Sequence, residues 1–178
     1  EIGPGIEFSV SATTRRPRPG EEDGVNYHFL SKNEFEQMKD NDEFLEWEKV
    51  HEAYYGTPKS NLDRAFASGR DLVLEIDVKG AKNIRRRYAR SVLIFIAAPM
   101  AELRSRLVSR PENMTPEELE KEIEIRMRTA LDEMEHLPDY DYLLINKDLD
   151  ECVKYAISII RAEKSRIVDG GRIATRPR

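Results

Sequence analysis

The sequence predicts an α/β protein with a parallel-sheet core and a small mixed-β insertion. Residues 71–77 and 91–97 carry nearly continuous apolar runs, the pattern of parallel strands that are covered on both faces. Helical segments alternate with these strands, the order expected when crossover helices connect a parallel sheet. Between residues 12 and 57 the strands are short, rich in aromatics and bounded by polar turns, which indicates an antiparallel patch.

The first half of the chain supplies the predicted insertion. Strands are expected at 6–11, 27–30, 43–50 and 54–57. Ser31 and Glu34 have the spacing of a capping box, which opens a helix that runs to about residue 39. Pro58 suits the first turn of the next helix, and Gly69 ends it.

The second half follows the α/β pattern. Thr115 and Glu118 form a second capping signal, and a long charged helix towards residue 136 follows. The tail after Lys164 is basic, and we expect it to be loose. The remaining predicted elements are strand 71–77, a right-handed crossover helix near 78–88, strand 91–97, helix 100–109, strand 142–145 and a final helix from Leu149.

Composition excludes several classes of protein. A net charge of −5 argues against a general nucleic-acid coat, which is normally basic. A single cysteine cannot form an internal disulfide, which favours a reducing, cytoplasmic location. No apolar run is long enough to span a bilayer, and the three histidines show no metal-ligand spacing. We therefore expect no membrane partner and no structural metal.

A stiff loop after the first strand carries candidate phosphate ligands. Arg15 and Arg18 lie among prolines, so the backbone holds their guanidinium groups ready for a bidentate contact with phosphate. Tyr27 can donate a further hydrogen bond. The alternative is that these are two solvated surface arginines, which is the usual case for such residues.

A carboxylate between large apolar residues is a candidate reader of a nucleobase. Glu46 is flanked by Leu45 and Trp47, and it can accept paired N–H bonds from guanine N1 and N2, which adenine does not offer. Tyr55 can bond a phosphate, and Thr57 can bond the guanine carbonyl oxygen. The alternatives are a surface glutamate on an alternating strand, and a tyrosine and threonine that only pack the small sheet.

The end of an apolar strand carries two acids. Asp77 closes the run 72–77, the position of an acid that serves magnesium or substrate in phosphate-binding α/β proteins. Glu75 lies two residues earlier on the same face. Asp77 also suits the N-cap of the following helix, and the two uses do not exclude one another.

Three arginines and one asparagine complete the candidates. Arg106, Arg110 and Arg126 flank a charged excursion, where they can offset charge on a transferred phosphoryl group. Charged helices often need no other explanation than solvation. Asn146 ends a strand, where its amide can read adenine or form a turn.

Together these segments resemble the guanylate kinase family, which transfers a phosphoryl group from ATP to GMP. The resemblance spans about residues 6–163 and is carried by the segments 8–21, 23–29, 43–47, 54–58, 74–80, Leu103–Leu107, Arg126 and 145–150. It implies a P-loop kinase-like core of parallel strands, a small mixed-β GMP-binding lobe and a helical lid. On the family pattern the core comprises 1–11, 58–107 and 126–178, the lobe 12–57 and the lid 108–125.

The resemblance also implies roles for individual residues. Ser11, Glu46 and Thr57 would hold guanine, and Arg15, Arg18, Tyr27 and Tyr55 would hold the GMP phosphate. Glu75 and Asp77 would lie by the nucleoside or magnesium, and Arg106, Arg110 and Arg126 would face the ATP phosphates. The implied ligands are ATP, Mg²⁺ and GMP or dGMP, bound by a monomer or homodimer.

Two departures from the family pattern bear on activity. The phosphate loop Gly-x-x-Gly-x-Gly-Lys does not occur in this sequence, and the lid reads Ser109-Arg110-Pro111-Glu112 in place of Gly-Arg-Gly-Thr. We expect that the parent protein supplies the loop upstream and that the 178-residue chain alone has little or no kinase activity. The alternative function is a guanylate kinase-like interaction module that binds partner peptides without catalysis.

Overall fold

The computed structural model describes residues 5–50, 52–109, 115–168 and 172–173. Contacts divide the chain into two compact units, Glu1–Ser91 and Val92–Arg178. Both units combine helices with strands, which confirms the predicted α/β class. No helix among the described residues is long and apolar enough to cross a membrane.

The first unit holds six strands and three helices among its described residues. They are β1 (Ile6–Phe8), β2 (Ala12–Thr13), β3 (His28–Phe29), α1 (Lys32–Asp40), β4 (Phe44–Val50), β5 (Ala53–Pro58), α2 (Lys59–Ser68), β6 (Asp71–Val73) and α3 (Val78–Arg87).

A mixed four-stranded sheet forms the predicted insertion. Its strand order is β3-β2-β5-β4, with β2 and β3 parallel and the other two pairs antiparallel. Ala12, Phe35 and Phe44 form its buried core, against which Leu30 and Tyr54 pack. The apolar side chains of α1 and of the sheet thus bury each other.

Strands β1 and β6 form a parallel pair, and both are shorter than predicted. The predicted strand 6–11 ends at Phe8, and the chain then enters β2 of the other sheet. The predicted strand 71–77 ends at Val73. An apolar run sets which residues are buried, but the length of a strand depends on the neighbour that pairs with it.

Local signals placed the helix ends correctly. Ser31 and Glu34 form the expected capping box at α1. Gly69 ends α2 in the left-handed conformation with φ 64°, which glycine adopts without strain. Asp77 caps α3 by accepting a hydrogen bond from the Gly80 N–H at 2.8 Å.

The second unit contains four strands and three α-helices among its described residues. They are β7 (Ile94–Ala97), α4 (Met100–Val108), α5 (Pro116–Met134), β8 (Tyr142–Ile145), α6 (Leu149–Lys164), β9 (Ile167–Val168) and β10 (Arg172–Ile173). β7 and β8 pair in parallel, with Ile94 opposite Tyr142 and Ala97 opposite Ile145. Thr115 and Glu118 form the second capping box, at the start of α5.

Two short segments of the C-terminal tail, 167–168 and 172–173, differ from expectation. β9 and β10 pair as antiparallel strands, where the sequence indicated a loose segment. The predicted lid begins in described residues but continues through 110–114, so Arg110 lies outside the part of the chain that the structure describes.

Candidate nucleotide-binding site

Three of the predicted phosphate ligands lie close together in the first unit. The Arg15 guanidinium lies 5.4 Å from the centroid of the Tyr27 ring. The Tyr27 and Tyr55 rings meet edge to face, with centroids 6.1 Å apart. Burial raises the pKa of Tyr27, and the nearby charge of Glu75 raises it further, so Tyr27 stays a neutral hydrogen-bond donor. The structure therefore brings Arg15, Tyr27 and Tyr55 into one cluster.

Arg15 is held in place by a carboxylate that the sequence analysis did not single out. The two oxygens of Glu21 accept hydrogen bonds from Nη1 and Nη2 of Arg15 at 2.9 and 2.8 Å. Arg15 lowers the pKa of Glu21 to about 2, and the backbone N–H of Arg18 contributes. The same pairing raises the pKa of Arg15. A bidentate pair of this kind fixes the orientation of the guanidinium plane.

Arg18 sits on a tight turn that ends at the same glutamate. The Glu21 N–H donates to the Arg18 carbonyl at 3.0 Å, and the Arg18 N–H donates to Glu21 Oε2 at 2.6 Å. Pro19 and Gly20, the latter with φ 85°, occupy the two central positions, as in a type II turn. The turn presents an exposed Arg18 next to the Arg15 cluster. The position of Glu21, an acid three residues after Arg18, is the feature of the sequence from which this turn could have been predicted.

Glu46 is buried, which decides against the alternative of a surface glutamate. Glu46 is 8% exposed, and its Oε1 accepts a 2.6 Å hydrogen bond from Thr57 Oγ1. The two residues are register partners in the β4–β5 ladder. Burial raises the pKa of Glu46, while the hydrogen bond from Thr57 opposes this rise.

The start of α3 lies beside the Glu46 carboxylate. A Cβ atom built on Gly80 would lie 2.9 Å from Glu46 Oε2. The charge of Asp77 contributes to the raised pKa of Glu46. Asp77 and Glu46 therefore lie in the same region of the first unit, and a side chain at position 80 would crowd the Glu46 carboxylate.

Ser11 lies between the two sheets of the first unit. Its carbonyl accepts the His28 N–H at 2.8 Å. The preceding carbonyl, that of Val10, accepts Asn61 Nδ2 at 3.0 Å, and Asn61 is fully buried. These bonds define the backbone at Ser11.

The second unit brings two of the remaining candidates together. Arg106 Nη2 donates to the Asn146 carbonyl at 2.9 Å and to Glu102 Oε2 at 3.1 Å. Asn146 Oδ1 is buried and accepts no hydrogen bond from the described residues. Arg126 lies on α5, where its Nε donates to Glu122 at 2.6 Å.

The residues that carry the resemblance thus occupy defined positions on an α/β fold. A family model described as guanylate kinase matches residues 4–163. The chain belongs to the guanylate kinase family. It is accordingly assigned as an ATP:GMP phosphotransferase, a nucleoside monophosphate kinase.

Individual relatives agree with the family assignment. The chain is 44% identical over 163 residues to a guanylate kinase of Caldanaerobacter subterraneus subsp. tengcongensis, covering 91% of this chain and 77% of the relative. It is 41% identical to a guanylate kinase of Desulfitobacterium hafniense, covering 92% and 80%. The crystal structure of guanylate kinase from Anaplasma phagocytophilum matches with a TM-score of 0.75 and 33% identity, covering 90% of this chain and 77% of that one. These guanylate kinases do not favour the alternative of a non-catalytic interaction module.

Proposed function

We propose that the first unit binds GMP as the phosphoryl acceptor, with the base against Glu46 and the phosphate against the Arg15 cluster. The observation that carries this proposal is the buried carboxylate of Glu46, which is 2.6 Å from Thr57 Oγ1 and lies in the same sheet that carries Tyr55. A buried carboxylate is costly unless it is hydrogen-bonded. Oε1 accepts the Thr57 hydroxyl, and each carboxylate oxygen has more than one lone pair, so the group keeps acceptor capacity for a ligand.

Guanine supplies the partners that this site lacks. Its N1–H and N2–H donors match the two oxygens of Glu46, whereas the corresponding edge of adenine presents an acceptor. Thr57 has one hydroxyl proton, which it donates to Glu46 in the unliganded protein. When guanine satisfies Glu46, that proton becomes available to the guanine carbonyl oxygen. Ser11 supplies a further hydroxyl to the base.

Fixed cations and phenols bind the GMP phosphate. Arg15 and Arg18 supply guanidinium forks; Glu21 orients the Arg15 guanidinium and holds the backbone of Arg18 before the ligand arrives. Tyr27 and Tyr55 add hydroxyl donors from the adjoining rings. The arrangement lowers the entropy cost of binding, because the side chains of Arg15, Tyr27 and Tyr55 are already held by their neighbours.

The second unit supplies the residues for ATP. Arg106 and Arg126, together with Arg110, neutralise charge on the transferred γ-phosphoryl group, and Asn146 contacts the adenine. The GMP phosphate oxygen is itself the nucleophile, so transfer in line needs no covalent enzyme intermediate. Glu75 lies near the nucleoside.

Asp77 fits a role beside Mg²⁺. Magnesium in nucleotide sites is held by one or two carboxylates together with substrate phosphates, so one protein carboxylate is sufficient. Asp77 uses Oδ1 to cap α3, which orients the side chain and leaves Oδ2 for a cation or its water. When bound, the ion neutralises phosphate charge.

The predicted division into parts belongs to the same proposal. Residues 12–57 form the GMP-binding lobe, 108–125 the lid, and 1–11, 58–107 and 126–178 the core. We further propose a cytoplasmic monomer or homodimer without nucleic-acid or membrane partners, which suits a buried, unpaired Cys152.

Calorimetric titration of the 178-residue chain with four ligands tests the proposal. We expect GMP and dGMP to bind, guanosine to bind weakly because it lacks the phosphate, and AMP to bind weakly because it repels Glu46. If GMP produces no heat and no protection against thermal unfolding, the proposed site is wrong and the interaction-module alternative gains support.

A further inference from the structure

The edge of strand β4 is irregular at the residue that the proposed function assigns to guanine. Phe44, Leu45 and Glu46 are buried in succession, although side chains of a regular strand alternate between faces. The ladder register shifts between Phe44, which lies opposite Pro58, and Glu46, which lies opposite Thr57. Two residues of β4 thus face one step of β5, which is a β-bulge. The bulge turns Glu46 into the buried site.

One arginine binds the carbonyl groups of the bulge. Arg87 Nη1 donates to the Leu45 carbonyl at 2.9 Å and to the Phe44 carbonyl at 3.3 Å. A bulge disrupts the ladder, and its backbone groups need other partners. Hydrogen bonds from a charged donor are stronger than those between neutral groups. Arg87 therefore stabilises the backbone conformation directly before Glu46.

Two other residues of α3 meet β4 on the same helical face. Asn83 Nδ2 donates to Glu48 Oε1 at 3.2 Å. Gly80 leaves the space in which Glu46 Oε2 lies, because a Cβ there would be 2.9 Å from that oxygen. Gly80, Asn83 and Arg87 are spaced three and four residues apart, so they lie along one face of the helix. This face contacts β4 on both sides of the guanine-reading carboxylate.

We propose that Arg87 and Gly80 are positioning residues for base selection, in that they hold the Glu46 carboxylate where it meets guanine N1 and N2. The inference rests on the proposed role of Glu46. Neither residue touches the ligand. Arg87 holds the backbone of the bulge through its hydrogen bonds to the Phe44 and Leu45 carbonyls. Gly80 has no side chain, which leaves space for the Glu46 carboxylate.

The test measures base preference rather than affinity alone. GMP and IMP differ only in the 2-amino group, so the ratio of their dissociation constants reports the contact between that group and Glu46. For Arg87→Ala we expect GMP affinity to fall about tenfold, with IMP affected less, because loss of charged hydrogen bonds frees the bulge. Arg87→Lys should recover part of the preference, since an ammonium can still donate to one carbonyl.

Two further variants separate positioning from general stability. Arg86→Ala removes the same charge from the next residue, which is exposed and donates to none of the described residues, and should leave the ratio unchanged. Gly80→Ala should lower GMP affinity severalfold, because the added Cβ would lie 2.9 Å from Glu46 Oε2 and 3.2 Å from the Ile76 Cβ. Both dissociation constants are measured at a temperature at which thermal unfolding shows the variant to be folded, so that a changed ratio of GMP to IMP affinity reports the position of the carboxylate and not loss of the fold.

The outcomes distinguish this inference from the proposed function. If Glu46→Gln leaves GMP binding intact, the proposed function is wrong and the inference fails with it. If Glu46→Gln abolishes the preference for GMP over IMP but Arg87→Ala and Gly80→Ala keep it, only the inference is overturned. A reduced preference in both α3 variants, with Arg86→Ala unchanged, supports it.

Discussion

Replacing Glu46 by glutamine is the most direct test of the base-binding site. The substitution keeps the shape of the side chain, and the amide oxygen can still accept the Thr57 hydroxyl that now lies 2.6 Å from Oε1. The change places an N–H₂ donor where guanine presents its own donors. It therefore removes one ligand interaction without opening a cavity.

The expected loss follows from the charge and burial of this carboxylate. Hydrogen bonds to a charged group are worth about 1.5–3 kcal/mol each, and guanine makes up to two with Glu46. A loss of about 3 kcal/mol corresponds to roughly 100-fold weaker GMP binding. Binding of AMP should not weaken, because adenine gains nothing from the carboxylate.

The same substitution should have the opposite effect on the unliganded protein. Burial raises the pKa of Glu46 above its usual 4.5, so the folded state disfavours the carboxylate. Its contribution to stability is therefore favourable below pH 4.5 and is lost as pH rises through the raised pKa. At neutral pH, Glu46→Gln should unfold at an equal or higher temperature than the wild type.

Calorimetry with GMP and thermal unfolding without ligand measure the two effects. Glu48→Gln is the matched control, because Glu48 lies two residues along the same strand and bonds to Asn83 rather than Thr57. GMP affinity within about twofold of wild type in Glu46→Gln would refute the argument, given the size expected for a charged hydrogen bond.

Three further predictions concern the loop that carries Arg18 and Glu21 and the C-terminal end of α2. Arg18→Ala should weaken GMP binding about tenfold or more but leave guanosine binding unchanged, since only GMP carries the phosphate. Glu21→Gln should be less stable than wild type at neutral pH, because pairing with Arg15 lowers the pKa of Glu21. In unfolding measured as a function of pH, the difference in stability should vanish as pH falls from 4.5 through about 2. A difference that persists at the lowest pH would contradict this. Gly69→Ala should cost about 1 kcal/mol in urea unfolding, because φ 64° strains alanine.

Local signals in the sequence were sufficient where the physics is local. The capping boxes at Ser31 and Thr115 and the glycine end of α2 follow from side chains that bond to backbone within three residues. The charge and hydrogen-bonding capacity of Arg15 and Glu46 could likewise be recognised from the residue types and their neighbours.

The supporting residues of the site were harder to recognise. Arg87 follows Leu45 by 42 positions, and no periodicity in the sequence indicates that an arginine at the end of a helix will bond to a bulge in a distant strand. Glu21 was closer, but an acid in a charged loop has many possible partners, and only the fold selects Arg15. The lengths of β1 and β6 were overestimated for the same reason, since pairing between distant strands sets where each one ends.

The sequence by itself determined the class of fold, the helix boundaries and the chemical groups available to a nucleotide, because these depend on neighbours along the chain. Only the tertiary structure decided that Glu46 is buried, that Glu21 orients Arg15 and that Gly80 and Arg87 of α3 adjoin Glu46 and its bulge. Burial and hydrogen-bond partners arise from residues that are distant in sequence, so they exist only once the strands and helices have packed.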